Sequence, residues 1–345
     1  MEKNFKIKVL NIISGSNKGG AENFFERLSI SFEKNKNVQQ KVLIRENQKR
    51  FSNLKKNLND IEQIKFFNYL NPFCHIKINK TLKNFKPNIV LSWMNRASQI
   101  VPFKKFNNEV RVGRLGGYYK LKNYISCDYL ITNTMDLKKY VCTKGWNPKK
   151  VEFIPNFVNK NNNSKIKKEN SAKIILCLGR FHVNKGIDII IKAMTNLPEY
   201  ILWIVGDGEL KNKYEKLIQD LRIVQRIKIF NWTDNISQYL NVANVLVCPS
   251  IHEPFGNIII DGWAHKVPVV ASDVGGPSIL IKNGFNGLKF EKGNVVQLAE
   301  LVRKVIVNKN ISNKIAKNGY LTYQKFYTED VITQKYINFF RKISC

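Results

Sequence analysis

Two carboxylates, Glu253 and Asp261, stand eight positions apart with the turn Pro254-Phe255-Gly256 between them. The apolar run Val245-Leu246-Val247-Cys248 stops at Pro249, and the sequence from Asn257 onward reads as the start of a helix. A strand end, a tight turn and a helix N-terminus leave bare backbone N–H groups beside two acids. A phosphate suits the N–H groups and sugar hydroxyls suit the carboxylates. A nucleotide-sugar carries both. The amides of Gly256, Asn257 and Ile258 are the expected phosphate contacts, Glu253 the sugar contact and Asp261 the ribose contact. The competing reading is a plain helix with one capping acid and one polar residue in its stripe.

Arg180 and Lys185 lie five apart in Leu178-Gly179-Arg180-Phe181-His182-Val183-Asn184-Lys185-Gly186, directly after another apolar strand. Negative charge grows on a diphosphate leaving group as its bond to sugar breaks. Two fixed cations there stabilise the transition state more than the ground state. The alternative is a solvated basic turn, and His182 reads as structural. Gly15-Ser16-Asn17-Lys18-Gly19-Gly20-Ala21-Glu22 follows the first strand and opens an amphipathic helix. Gly19 and Gly20 would let backbone approach a ligand. The run is neither the dinucleotide fingerprint nor a P-loop. Asn231 and Trp232 end a strand in Phe230-Asn231-Trp232-Thr233 and would hold a nucleobase, with Trp232 as core packing equally open. Gly206-Asp207-Gly208-Glu209 and Ser272-Asp273-Val274-Gly275-Gly276-Pro277 supply further glycine-rich strand ends.

Positioning these groups needs strands that end together. Thirteen apolar runs alternate with helical patterns. They cover residues 8–15, 41–45, 64–69, 88–94, 110–115, 128–134 and 151–155, then 173–180, 200–207, 226–232, 244–250, 268–273 and 287–290. Continuous Val/Ile/Leu strands separated by helices predict parallel sheets covered on both faces. The expected architecture is two facing Rossmann-like, doubly wound α/β domains. Ligands would sit in the cleft between them, at the carboxyl ends of the strands. Residues 1–158 form the first domain, 159–170 a polar linker and 171–327 the second domain. Residues 328–345 form a helix that packs back on the first.

The chain has 345 residues, 43% of them hydrophobic. No run of 18 apolar residues predicts a membrane span, and the start reads as a strand rather than a signal peptide. The cysteines are scattered and the four histidines lack ligand spacing, so reduced thiols, no zinc site and a cytoplasmic setting are expected. The net charge is +31, divided as +19 in residues 1–158 and +12 in residues 159–345. Coding bias and attraction to an anionic membrane are equal readings, and no nucleic-acid recognition motif is present. Two segments suit an anionic membrane surface or, equally, a plain solvated helix and loop: residues 45–61, with Phe51, Leu54, Leu58 and Ile61 on one helical face, and the basic, aromatic residues 103–122.

Taken in order, Gly179-Arg180…Lys185-Gly186, Gly206-Asp207-Gly208, Pro249-Ser250…Glu253-Pro254-Phe255-Gly256 and Gly275-Gly276-Pro277 resemble the retaining glycosyltransferases of the GT-B fold, family 4. Trp93-Met94-Asn95-Arg96-Ala97, Arg114-Leu115-Gly116-Gly117-Tyr118-Tyr119 and Cys127 to Thr134 resemble the bacterial branch linked to lipopolysaccharide and surface-polysaccharide assembly. The resemblance implies that Arg180 and Lys185 bind the donor diphosphate and Glu253 the transferred sugar. The amides after Phe255, with Gly19 and Gly20, would contact sugar and phosphate. Three departures stand out. Asp261 replaces the family's usual Glu and is one methylene shorter. Ile279 occupies a position often held by Glu. No His occurs in the Leu115-Gly116-Gly117 loop, so Asn95, Arg96 and Arg114 are taken as the acceptor-side polar groups.

The implied reaction moves a sugar from a nucleotide-diphosphate-sugar to a hydroxyl of a glycolipid or saccharide, without metal or other cofactor. The rivals are a nucleotide-sugar epimerase or phosphorylase of the same fold, and a non-catalytic basic protein that binds membrane or nucleic acid.

Overall fold

The computed structural model describes residues 6–15, 19–65, 72–158, 173–233 and 235–344. The expected linker 159–170 lies outside the described residues. The chain divides into two compact units. One is Met1–Asn156 together with Glu329–Cys345, and the other is Phe157–Thr328.

The first unit is built on seven parallel strands: β1 (Ile7–Ile13), β2 (Val38–Arg45), β3 (Ile61–Ile64), β4 (Ile89–Trp93), β5 (Val110–Arg114), β6 (Tyr129–Thr132) and β7 (Val151–Phe153). Their order is β3-β2-β1-β4-β5-β6-β7. The second unit has six: β8 (Ile174–Leu178), β9 (Ile201–Val205), β10 (Ile227–Phe230), β11 (Val245–Cys248), β12 (Val269–Ser272) and β13 (Leu288–Phe290), in the order β10-β9-β8-β11-β12-β13. Every pairing between them is parallel. The continuous apolar strands follow from burial on both faces. In the second unit Ile175, Cys177 and Val247 enter one core, while Leu176, Leu178, Leu246 and Cys248 enter the other.

Two expectations need correction. The third strand runs over Ile61–Ile64, where Ile61 and Ile64 are the buried positions beside β2, and meets the expected 64–69 at Ile64; residues 66–69 lie outside the described residues. The apolar stripe in residues 45–61 is not a membrane face. Leu54, Leu58 and Ile61 are 1%, 3% and 5% exposed, and the helix there covers only Gln48–Lys55. Arg50 on that helix is itself buried and paired to Glu26 at 2.7 Å. The stripe is amphipathic because it closes the unit's own core.

The helix Glu329–Ser344 belongs to the first unit although it ends the chain. Its Tyr336 and Phe340 rings meet Phe32 of the helix Gly20–Lys34 at 5.9 and 6.0 Å, and the Ser31 and Thr333 hydroxyls lie 2.6 Å apart.

Candidate active site

In each sheet the chain winds outward in one direction, returns to the middle and winds out in the other. The reversal falls between β8 and β11 in the second unit and between β1 and β4 in the first. Loops leaving such neighbouring strands at their carboxyl ends diverge to opposite faces and leave a crevice.

At the β8/β11 reversal the structure brings Lys185 and Glu253 into contact, with Nζ 2.5 Å from Oε2. Nothing in a separation of 68 positions announces that ion pair; the strand order creates it. The β8 loop is held against the end of β11 by backbone bonds from Ile251 and His252 N–H to the Asn184 carbonyl, 2.9 and 3.1 Å. Gly186, at φ 58°, makes that approach possible, since a Cβ there would run into the Pro249 carbonyl. On the other side the β12 loop closes in: Gly276 N–H donates to the Glu253 carbonyl at 2.8 Å, and a Cβ on Gly276 would collide with the Phe255 carbonyl. Three strand-end loops therefore fix one carboxylate.

Glu253 is 8% exposed. Its Oε1 accepts from Gly256 N–H at 3.2 Å, just ahead of the helix Asn257–Ala264. Burial works against the charge on Lys185, but the adjacent Glu253 carboxylate more than offsets it and holds the ammonium pKa above its ordinary 10.5. An ammonium has three N–H donors, so the bond to Glu253 leaves two for a ligand.

The remaining expected residues separate clearly. Arg180 is exposed and has no ion-pair partner among the described residues. Asn257 and Ile258 form the first turn of the helix, half-buried, and Asp261 is 7% exposed one turn further on. Trp232 is 42% exposed, which rules out a core role, and Asn231 beside it accepts from Lys211 at 3.5 Å. His182 is structural: its Nδ1 accepts from Asn184 N–H at 3.2 Å and caps the short turn bearing Lys185.

In the first unit Gly19 caps the helix Gly20–Lys34, and residues 16–18 of its loop lie outside the described residues. Asn95 and Arg96 stand at the end of β4, half-buried and exposed. Met94 between them and the strand has φ 60°, an uncommon conformation for a residue with a side chain. The assignment of Arg114 to the acceptor side is corrected. Its side chain is fully buried, donates to Tyr336 Oη at 3.1 Å and to Asn156 Oδ1, and stacks over Trp93 and Phe24 at 4.5 and 4.8 Å. It ties β5 to the C-terminal helix. Sequence reasoning also gave no role to Ser14, Met135 or Asp136, which lie at the same carboxyl edge and carry no motif.

Among the described residues no three His, Cys, Asp or Glu side chains converge on a metal position, and no helix is long and apolar enough to cross a membrane. The described cysteines are unpaired.

Residues 158–322 match the profile of the family "Glycosyl transferases group 1". The chain is similar to the lipopolysaccharide core biosynthesis glycosyltransferase LpsD of Rhizobium meliloti (strain 1021), with 28% identity over 341 residues covering 97% of this chain and 98% of the relative. LpsE of the same organism, described in the same words, is 28% identical over 268 residues, 76% of this chain and 78% of that one. Among solved structures, Anabaena HepE in complex with UDP and glucose superimposes with a TM-score of 0.81 over 96% of this chain and 98% of that one. At 17% identity this likeness speaks for the fold.

Proposed function

We propose that this chain of GT-B fold, whose residues 158–322 match the group 1 glycosyl transferases, is a member of that family and transfers a sugar, with retention at the anomeric carbon, from a nucleotide-diphosphate-sugar to a hydroxyl of a lipopolysaccharide or surface-polysaccharide precursor. The observation that carries this reading is the Lys185–Glu253 pair at the β8/β11 reversal. Its ammonium keeps donors for diphosphate oxygens. Its carboxylate, held on one oxygen by Gly256, is a fixed acceptor for sugar hydroxyls.

Arg180, exposed on the same loop, adds a second cation. The helix beginning at Asn257 adds its positive end. Asp261 is assigned to the ribose hydroxyls, and Asn231 with the open Trp232 to the base. The UDP and glucose bound by HepE make UDP-glucose the first donor to try.

Glu253 already holds Lys185 and Gly256, so it serves as a hydroxyl binder and not as a nucleophile. In the proposed same-face step, the bond from the anomeric carbon to the phosphate oxygen breaks as the bond to the acceptor oxygen forms. The acceptor proton passes to the departing phosphate oxygen. Arg180, Lys185 and the helix end stabilise the charge that builds there, so a metal is not assigned a role.

A cytoplasmic, membrane-peripheral location is part of the proposal. The surviving candidate face is residues 103–122 and their neighbours. Phe103 and Ile125 are 71% and 69% exposed, and their loops are tied together by Lys105–Asp128 at 2.8 Å.

The test is Arg180→Ala combined with Lys185→Ala. Turnover of the donor that raises the melting temperature should fall by more than about 10³-fold with the fold retained, given about 10²–10³ for loss of a single charge-stabilising donor. Unchanged turnover in the double variant overturns the assignment. A rate that survives chelator treatment supports metal independence.

A further inference from the structure

The loop that leaves β8 is tied to its neighbours by backbone on both sides. Toward β9, Phe181 N–H donates to the Asp207 carbonyl at 2.8 Å and Leu210 N–H donates to the Phe181 carbonyl at 3.1 Å. Toward β11, the Asn184 carbonyl takes the Ile251 and His252 N–H groups. Between these anchors a single side chain caps the turn Val183–Lys185, and it is His182. Its Nδ1 accepts from Asn184 N–H at 3.2 Å, and among the described residues that N–H has no other acceptor. Asn184 is therefore held at both ends. His182 holds its N–H, the loop leading to Glu253 holds its carbonyl, and the next residue is Lys185.

An imidazole nitrogen that accepts a hydrogen bond carries no proton. The neutral His182 ring must therefore carry its proton on Nε2, which stands 3.7 Å from Glu209 Oε1. Glu209 is the one carboxylate within 4 Å of the ring among the described residues. The other ionisable groups around it are Arg180 and Lys185 on the same loop, His252 on the β11 loop, and Asp207 on the β9 loop, whose Oδ1 accepts from Gly208 N–H at 2.8 Å. A second proton on the ring would sit on Nδ1 and meet the Asn184 N–H, donor against donor. The charged ring suits Glu209 and breaks the cap. The usual capping side chains, Asn, Asp, Ser and Thr, keep their acceptor near neutral pH. Histidine is the side chain that loses it between pH 5 and 8.

We propose that His182 is a positioning residue for the donor site: its neutral, Nε2-protonated ring holds Lys185, and through Asn184 the loop of Glu253, in the arrangement that stabilises the leaving diphosphate, and protonation of the ring releases them. This rests on the transferase reading above and adds what sets the geometry of that site and makes it sensitive to acid. The ring acts through Asn184 and not on the substrate. Its release costs the fold little, because Asn184 is exposed and its freed N–H finds water. It costs the reaction more, because a charge-stabilising group loses effect when it is displaced by a fraction of its bond length. The effect therefore belongs in kcat, with the donor KM and the melting temperature nearly unmoved.

The experiment follows turnover of UDP-glucose, or of the nucleotide-sugar that raises the melting temperature, by the full chain between about pH 5.5 and 8. It compares the wild type with His182→Asn, which keeps a capping acceptor that does not titrate, and with His182→Ala, which has none. At the upper pH His182→Asn should keep kcat within about twofold of the wild type, and His182→Ala should lose about fivefold with its donor KM within about twofold. Toward the lower pH the ratio of wild-type to His182→Asn kcat should fall by about fivefold, while the ratio of His182→Ala to His182→Asn stays flat. A flat wild-type ratio overturns the proposal. So does a His182→Asn variant no faster than His182→Ala, and so does a ratio that rises in acid, which would make the charged ring a direct phosphate ligand. A nitrogen-15 histidine spectrum without substrate reads the tautomer separately. The His182 signal, identified by its loss in His182→Asn, should show the proton on Nε2 at the upper pH, and a proton on Nδ1 overturns the proposal. If the tautomer is as stated but no sugar is transferred from any nucleotide-sugar, the transferase reading fails and the cap stands.

Discussion

The two sheets share one winding pattern and differ in what they place at the reversal point. In the second unit the crevice is built from charge: a lysine and a glutamate in contact, locked by three loops with two glycines at points where no side chain fits. Among the described residues, the corresponding edge of the first unit shows no ion pair at the reversal. It has the Ser14 and Asn95 oxygens without partners there, the exposed Tyr118 ring and Met135 thioether, and while Arg96 is exposed, Arg114 is folded into the interior. A diphosphate is the same in every donor and demands fixed charge. An acceptor is recognised by shape and hydroxyl pattern, which need surface and spare hydrogen-bonding groups. The proposed function gives the chemistry of the donor to one unit and the selection of the acceptor to the other.

The largest effects should come from replacing one cation in each unit, the half-buried Lys185 and the buried Arg114. Lys185→Met should lower kcat by about 10²–10³-fold and cost only about 1 kcal/mol of unfolding free energy. Arg114→Met should do the reverse: it loses stacking and charged hydrogen bonds and lowers stability by about 2–4 kcal/mol in urea denaturation, with donor binding retained. If both variants behaved alike, the contrast between the units would collapse.

Gly276→Ala should cost about 1–3 kcal/mol through the clash of its Cβ with the Phe255 carbonyl and weaken donor binding, because the loop that fixes Glu253 must shift. Gly145→Ala, which strains a positive φ but meets no atom within 4 Å, is the comparison and should leave donor affinity unchanged.

The pH response is a subtler check. The Lys185 pKa is raised in the folded chain, so the stabilisation from its pair with Glu253 is fully present below 10.5 and is lost as pH rises through the higher folded value. The stability difference between wild type and Lys185→Met should therefore close only above pH 10.5. A gap that closes between pH 6 and 8 would mean that Lys185 is not charged in the way described.

The smallest effect on stability belongs to Phe103→Ser, within about 0.5 kcal/mol as for an exposed site, combined with weaker sedimentation with anionic vesicles. Unaltered vesicle binding removes that loop from the membrane account.

The legibility of the sequence follows the same division. Twelve of the thirteen strands could be read because parallel strands buried on both faces are unbroken apolar runs, and β3 was placed too late because it is a four-residue edge strand with only two buried positions. The residues proposed for the donor stood out because phosphate chemistry restricts residue types to glycine, lysine, arginine and acid at strand ends. Contact between Lys185 and Glu253 could not be read, since it depends on strand order. The stripe of Leu54, Leu58 and Ile61 looked like a membrane face because periodicity does not say what covers an apolar side. Arg114 was misread for a related reason: a buried arginine stacked between two aromatic rings has the same sequence signature as one facing a substrate. Ser14 and Met135 carry no local pattern, and only the strand register brings their edge together.

The most direct test of the central claim is calorimetric binding of UDP-glucose, and of a wider nucleotide-sugar panel, to the wild-type chain and to Lys185→Met. The account predicts that at least one nucleotide-diphosphate-sugar binds the wild type, and that its affinity falls by about tenfold or more when the ammonium is removed. Equal affinity in the two proteins, or no binding of any member of the panel to the wild type, would contradict it.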